Sequence, residues 1–135
     1  MASVCPKLSY SRVYVSYHID QNQWTLAQAW SLQCGSFALF IPAGYSFDLA
    51  SVPRWFWTII APFELSLPAP LVHDYLYEFR GRPRPPQVDP VRTFTRLESD
   101  RLFLQIMQAE GIAGWKRHLA YRAVRLFGAC YWNDE

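Results

Sequence analysis

Residues 71–77 form an apolar run with His73 and Asp74 side by side at its centre, and these two residues are the first candidates for chemistry. On a helix, successive side chains are rotated by about 100°, so both can face one cavity. Tyr77 follows His73 by one turn, and its hydroxyl can reach the same polar spot. A buried charge costs several kcal/mol unless it is paired or bound to a metal. The pair therefore requires partners elsewhere in the chain.

Asp100 is one such partner, because it falls on the apolar side of a helix predicted over residues 97–110. Projection at about 100° per residue places this carboxylate between Phe103, Leu104 and Met107. A fold avoids a carboxylate in that position unless the group is paired.

The candidate site combines one imidazole, three carboxylates and two guanidinium groups that serve as counter-charges: His73, Asp48, Asp74, Asp100, Arg54 and Arg125. The imidazole and carboxylates are suitable ligands for Zn²⁺, Mn²⁺ or Mg²⁺. A second interpretation is a buried network in which the arginines neutralise the carboxylates and His73 donates to a backbone carbonyl. Spacing does not choose between them, because the residues come from a loop and several predicted helices.

The N-terminal half carries strand patterns. Residues 10–19 are β-branched and aromatic, and turn formers follow at 20–23, which predicts a strand and a hairpin turn. Residues 24–34 predict a second strand, although 26–30 would also suit a helix. Residues 37–41 predict a third.

The C-terminal half carries helix patterns. Four helices are predicted: one that Ser51 caps and that runs to about Ala61, one that begins at 67–70, 97–110 and 112–127. The last is expected to face the core with Ile112, Trp115, Leu119, Ala123 and Leu126. The expected fold is α+β, a small antiparallel sheet packed against about four helices.

Residues 80–92 hold four prolines and four arginines without apolar periodicity, which predicts an exposed loop. The segment is either a solvated connector or a mobile basic arm that contacts an acidic partner.

The whole chain, 135 residues, fits a single domain. Its composition, 51% hydrophobic and 17% aromatic, excludes a disordered chain. A net charge of +2 argues against nucleic acid as a partner. No apolar run reaches the roughly 20 residues that span a bilayer, and no signal peptide is expected.

Three widely spaced cysteines, Cys5, Cys34 and Cys130, indicate buried or free thiols in a reducing compartment. Synthesis in a cytoplasm is therefore expected.

Five short blocks occur in a familiar order: IPAG (41–44), DLASVPR (48–54), HDYLY (73–77), SDRLF (99–103) and YRAVRLFG (121–128). Together they resemble a domain family of unknown function found in tailed phages and prophages. The resemblance implies a phage origin, with the host cytoplasm or the virion as location, and a shared polar cluster. It assigns no reaction.

His73-Asp74-x-x-Tyr77 also resembles the helix of secreted phospholipases A2. Those enzymes need many disulfides and a Gly-rich calcium loop, and the sequence predicts neither. The His-Asp pair is similar to that of HD-type phosphohydrolases as well, but these need further upstream histidines on helices.

Two functions fit these patterns. The first is a divalent-metal-dependent hydrolase of a cell-envelope or nucleotide substrate, in which the metal activates water and Arg54 or Arg125 stabilises the developing negative charge. The second is a non-enzymatic virion or assembly component, of a tail or capsid, that binds phage structural proteins or itself and in which the polar cluster is structural.

Overall fold

Short strands and helices account for most of residues 5–21, 23–48 and 67–132, which the computed structural model describes. One antiparallel sheet has the order β1-β4-β5-β7, formed by Ser9–Tyr10, Trp30–Gln33, Ala38–Ile41 and Val88–Asp89. A second has the order β2-β3-β6, formed by Val15–His18, Gln23–Leu26 and Ser46–Phe47. The helices in the described ranges are α1 (Pro68–Glu78), α2 (Arg96–Ala109), α3 (Gly114–Phe127) and α4 (Ala129–Trp132). This arrangement confirms the α+β class.

The two long predicted strands each divide between the two sheets. Tyr10 pairs with Leu32 in the first sheet, whereas Val15 pairs with Leu26 in the second. Trp30 is buried where the chain crosses from one sheet to the other, and its indole N–H donates to the Ser11 carbonyl at 2.8 Å. Residues 26–30 therefore do not form the alternative helix.

The α1 helix is the centre of the fold, with nine of its eleven residues buried. Pro68 and Pro70 occupy its first turn, where a missing N–H breaks no helical hydrogen bond. The chain leaves the helix through Gly81, which has φ +76 and donates its N–H to the Leu76 carbonyl. A Cβ on Gly81 would lie 1.9 Å from the Phe94 carbonyl oxygen, so only glycine fits this reversal.

The α2 helix confirms the prediction for residues 97–110 and packs against both α1 and α3. The Thr95 hydroxyl accepts from the Glu98 N–H, and the Glu98 carboxylate accepts from the Thr95 N–H. This capping box fixes where the helix begins.

The α3 helix is rotated relative to its predicted orientation. Ala120, Ala123 and Val124 are buried, whereas Trp115 is 61% and Leu126 is 74% exposed. Small side chains allow two helices to approach closely, so α3 presents its small residues rather than its large ones to the core. The predicted inward orientation is correct for Ala123 and wrong for Trp115 and Leu126.

The segment 80–92 is anchored to the body, which corrects the prediction of a free arm. Its residues Val88 and Asp89 pair with β5, and Val88 is buried at 2% exposure. The Arg92 guanidinium lies 4.7 Å from the Phe37 ring and 4.3 Å from the Phe94 ring. Arg82 and Arg84, which precede these anchors in the chain, are exposed. The sequence does not predict this anchoring, because the burial of Val88 and the packing of Arg92 on two rings produce no periodic hydrophobic pattern.

The prediction of three unpaired thiols is wrong, because Cys5 and Cys34 form a buried disulfide. Their Cα atoms lie 4.7 Å apart, although 29 residues separate them in sequence. Cys130 is exposed with a free thiol. The prediction of a reducing compartment relied on three unpaired thiols and loses that basis. In the ranges that the structure describes, no helix has the length and apolar character needed to cross a membrane.

Candidate functional site

The carboxylate of Asp100 is completely buried and binds side chains from three helices. Its Oδ1 lies 2.9 Å from His73 Nε2 and accepts from the Tyr77 hydroxyl at 2.7 Å, both on α1. Its Oδ2 accepts from Arg125 Nη1 on α3 at 2.7 Å. Arg96, one turn earlier on α2, places Nη1 3.6 Å from the same oxygen. These five residues are the Asp100 network, which joins α1, α2 and α3.

The partners of Asp100 determine its charge. Burial alone would raise the pKa of the carboxyl, but the hydrogen bonds from His73, Tyr77 and Arg125 outweigh burial and hold the pKa below its usual value. Asp100 is therefore ionised at neutral pH and acts only as an acceptor.

His73 is neutral in this environment. Complete burial lowers the pKa of its imidazole and outweighs the opposite effect of Asp100, and the nearby Arg96 charge lowers it further. Because Asp100 only accepts, the single ring proton belongs on Nε2, and the lone pair is on Nδ1. The ring is held between Tyr77 and Phe103, with centroid distances of 4.2 and 4.7 Å. Asp100 thus fixes both the tautomer and the orientation of the imidazole.

Arg96 connects the network to the end of α3. Its guanidinium donates to the Val124 carbonyl at 3.2 Å and to the Arg125 carbonyl at 3.4 Å. These carbonyls belong to the last turn of α3, where a cation is favourable. Arg96 therefore stabilises a helix end and a buried carboxylate at the same time.

Asp74 belongs to a different environment, although it is adjacent to His73 in sequence. Its Oδ2 accepts from the Asp48 backbone N–H at 2.7 Å. Both residues line an open cavity of about 300 Å³, which we call the acid-lined cavity. The other lining residues are Gln23, Tyr45, Ser46, Tyr77, Glu78, Arg80 and Tyr131.

The wall of the acid-lined cavity carries the carboxylates of Asp48, Asp74 and Glu78 and the guanidinium of Arg80. Burial raises the pKa of the Tyr45 hydroxyl, and the charges of Asp74, Glu78 and Asp48 raise it further. Tyr45 packs edge-on against Tyr75 of α1 at 5.4 Å between ring centroids. Its phenol therefore stays protonated beside the carboxylates.

Tyr77 connects the cavity with the network. Its side chain lines the cavity, while its hydroxyl donates to Asp100 and accepts from Arg96 at 3.5 Å. Burial, and then the charge of Asp100, raise the pKa of the Tyr77 hydroxyl. The buried imidazole is thus one side chain away from an open cavity.

The four residues predicted as one ligand set form two pairs, His73 with Asp100 and Asp48 with Asp74. The rotation of about 100° between adjacent helix positions turns His73 towards α2 and Asp74 towards the cavity. Across the residues with described positions, no group of three or more His, Cys, Asp or Glu side chains could hold a metal ion. The predicted four-residue set therefore does not fit a single Zn²⁺, Mn²⁺ or Mg²⁺ ion.

The predicted arginines have different outcomes. Arg125 pairs with Asp100, so it positions the network rather than facing the acid-lined cavity. Arg54 lies outside the described residues, as does the predicted helix from Ser51 to about Ala61. Sequence reasoning missed Arg96, for which the signal was its i,i+4 spacing to Asp100. It also missed the place of Arg80 in the cavity wall, which follows from where α1 ends.

Residues 24–124 match a family described as "Protein of unknown function (DUF1353)". The chain belongs to this family. The matched residues include every member of the Asp100 network except Arg125, which follows by one position. The predicted membership of a family of unknown function is thereby confirmed.

A relative in the curated proteins is "Uncharacterized protein y4jT" of Sinorhizobium fredii (strain NBRC 101917 / NGR234). It is 37% identical over 90 residues, which cover 65% of this chain and 23% of the relative. The chain therefore spans about a quarter of the length of that relative. No solved structure matches the chain.

Proposed function

We propose that the protein is a hydrolase of carboxylic esters in which His73 is the general base. The observation that supports this most is the pairing of His73 Nε2 with Asp100 Oδ1 at 2.9 Å. In hydrolases on unrelated folds, a carboxylate paired with one ring nitrogen of a histidine orients the ring so that the other nitrogen acts as the base. The Asp100 network lies beside the acid-lined cavity and shares Tyr77 with it.

The reaction follows from the protonation states. Neutral His73 accepts a proton from a water molecule at Nδ1 while the water oxygen forms a bond to the ester carbonyl carbon. The bond from that carbon to the alkoxy oxygen then breaks, and the imidazolium returns its proton to the leaving alkoxide. Asp100 remains ionised and stabilises the imidazolium. Water is consumed, and a carboxylic acid and an alcohol are formed.

Two other groups have proposed roles. Among the described residues of the cavity wall, Arg80 is the cation, and it is suited to stabilise the oxyanion that develops on the carbonyl oxygen. Arg125 and Arg96 keep Asp100 ionised, so they act through Asp100 rather than on the substrate. A divalent cation at Asp48 and Asp74 is not needed for any of these steps.

The substrate class follows from the charge of the cavity. Asp48, Asp74 and Glu78 repel the phosphates of a nucleotide, which favours the cell-envelope substrate over the nucleotide. We therefore propose an uncharged acylglycerol ester of the cell envelope. The resemblance to tailed-phage proteins supports infection of a host as the setting.

The test is ester hydrolysis by the parent protein and by His73→Gln. The Gln amide nitrogen can still donate to Asp100, but the side chain has no basic lone pair. We expect the parent to release fatty acid from emulsified, uncharged diacylglycerol, and the variant to lose at least about 100-fold in rate while it stays folded, since general-base catalysis contributes about 10²–10⁴-fold. No hydrolysis by the parent, or equal rates, would contradict the proposal.

A second candidate is the non-enzymatic assembly component. It is favoured by the complete burial of His73 and Asp100, since a network enclosed by three helices is suited to hold them together. On this hypothesis His73→Gln leaves self-association and binding of phage structural proteins unchanged. A parent that hydrolyses no ester but sediments as a defined oligomer would favour this second function.

A further inference from the structure

We propose that one face of α3 docks on the surface of an anionic phospholipid bilayer. This α3 outer face consists of the exposed residues Trp115, His118, Arg122 and Leu126, and Leu119 at its edge is half-buried against the core. Trp115 and Leu126 are 61% and 74% exposed, and they are among the most exposed large apolar side chains of the described residues. The proposal relies on this surface alone and does not depend on ester hydrolysis.

The geometry of the face fits a helix that lies flat on an interface. Trp115 and Leu126 are eleven positions apart, which is about 16 Å along the helix and about 20° around it. Arg122, which is exposed, lies between them on the same face. Trp and Leu interleaved with Arg are the composition of interfacial helices.

The charge of α3 is complementary to an anionic surface. Its fourteen residues include Lys116, Arg117, Arg122 and Arg125 and no Asp or Glu. Arg117 donates to the Ile112 carbonyl and Arg125 binds Asp100, whereas Arg122 is exposed on the outer face. The Lys116 ammonium lies 5.6 Å from the centre of the Trp115 ring. Each cation near an anionic membrane adds to the attraction.

Other occupants fit this face less well. Two copies packed through the same face would place Arg122 and its neighbours against like charges. Nucleic acid would use the cations without burying Leu126. A bilayer surface accommodates the apolar side chains and the cations together. The apolar side chains enter the acyl boundary while the Arg122 guanidinium stays among the headgroups.

The test is co-sedimentation of the full chain with vesicles of phosphatidylcholine that contain 30% phosphatidylglycerol, and with vesicles of phosphatidylcholine alone. We expect binding to the mixed vesicles that weakens at least about 10-fold in Leu126→Ser and in Trp115→Ser. Arg122→Gln should weaken binding and reduce its salt dependence. Ile19→Ser is the matched control, because Ile19 is 80% exposed but lies far from α3 in the chain, after β2.

Several outcomes would overturn the proposal. These are no binding to the mixed vesicles, equal binding to the neutral vesicles, and loss of binding in Ile19→Ser to the same degree as in Leu126→Ser. A fourth is self-association that Leu126→Ser abolishes, with vesicle binding unchanged, which would assign the face to a second copy. Thermal melts of all variants establish that each is folded before binding is compared.

Discussion

Gly128 lies against the side chain of Tyr77, so closely that a Cβ at position 128 would be 2.6 Å from the Tyr77 hydroxyl oxygen. The same Cβ would lie 2.5 Å from the Val124 carbonyl oxygen. The end of α3 therefore holds in place the hydroxyl that donates to Asp100.

Gly128→Ala is expected to displace Tyr77 and to lower the free energy of unfolding by about 1–3 kcal/mol, the usual cost of overpacking. Gly114→Ala is the control, because a Cβ there would meet nothing closer than 3.9 Å. Chemical denaturation of both variants measures the difference. Equal stability of the two variants would show that the added methyl group at position 128 fits beside Tyr77 without displacing it, contrary to the structure.

Tyr77→Phe removes one donor to Asp100 and keeps the ring. The phenyl ring can still pack on His73 and edge-on to Trp132, 5.1 Å away. We expect a loss of about 1–3 kcal/mol, because a buried carboxylate loses a hydrogen bond. Tyr75→Phe on the same helix is the control and should change stability less. Should Tyr75→Phe be the more damaging change, the Asp100 network is not what holds α1 in place.

Stability is expected to fall on the acid side of neutrality. The pKa of His73 is lowered in the fold, so below about pH 6.5 the unfolded chain binds a proton that the native state does not. The stabilisation is present above that pH and is lost as the pH falls towards the native-state pKa. The lowered pKa of Asp100 also makes stability fall as the pH falls, and this second effect appears below about pH 4.

Thermal melts between pH 7.5 and 5 measure the first of these effects. The melting temperature of the parent should fall as the pH is lowered across that range, and the melting temperature of His73→Gln should fall less. Parallel slopes for the two proteins would mean that His73 does not titrate differently in the native and unfolded states.

The disulfide is expected to contribute about 2–4 kcal/mol, because it closes a loop of roughly thirty residues. Reduction with dithiothreitol, or Cys34→Ser, should lower the melting temperature. Cys130→Ser removes an exposed thiol and should leave the melt unchanged. A melting temperature insensitive to reductant would show that Cys5 and Cys34 are unpaired in solution.

The sequence predicted the elements of this fold better than their assembly. The positions of α1 and α2 follow from local chemistry, namely Pro68 and Pro70 in one first turn and a capping box at Thr95 in the other. The division of one strand pattern between two sheets depends on Trp30 and Ser11, which meet only in three dimensions.

The candidate site was predicted in part for the same reason. Asp100 is predictable as a paired carboxylate because it lies on an apolar helix face, where an unpaired charge is unfavourable. Tyr77 is predictable because it lies one helical turn from His73. The separation of Asp74 from His73 requires the position of α2, which local sequence does not contain. The disulfide required a contact between residues 29 positions apart.

The tautomer of His73 tests the central claim most directly, and long-range ¹H–¹⁵N NMR of the imidazole groups at pH 7 measures it. The signal of His73 is identified by its loss in His73→Gln. We predict a neutral ring with its proton on Nε2, held by Asp100, and a pKa below 6.5 on titration. A proton on Nδ1, or a doubly protonated ring at pH 7, would contradict the assignment of His73 as a base oriented by Asp100.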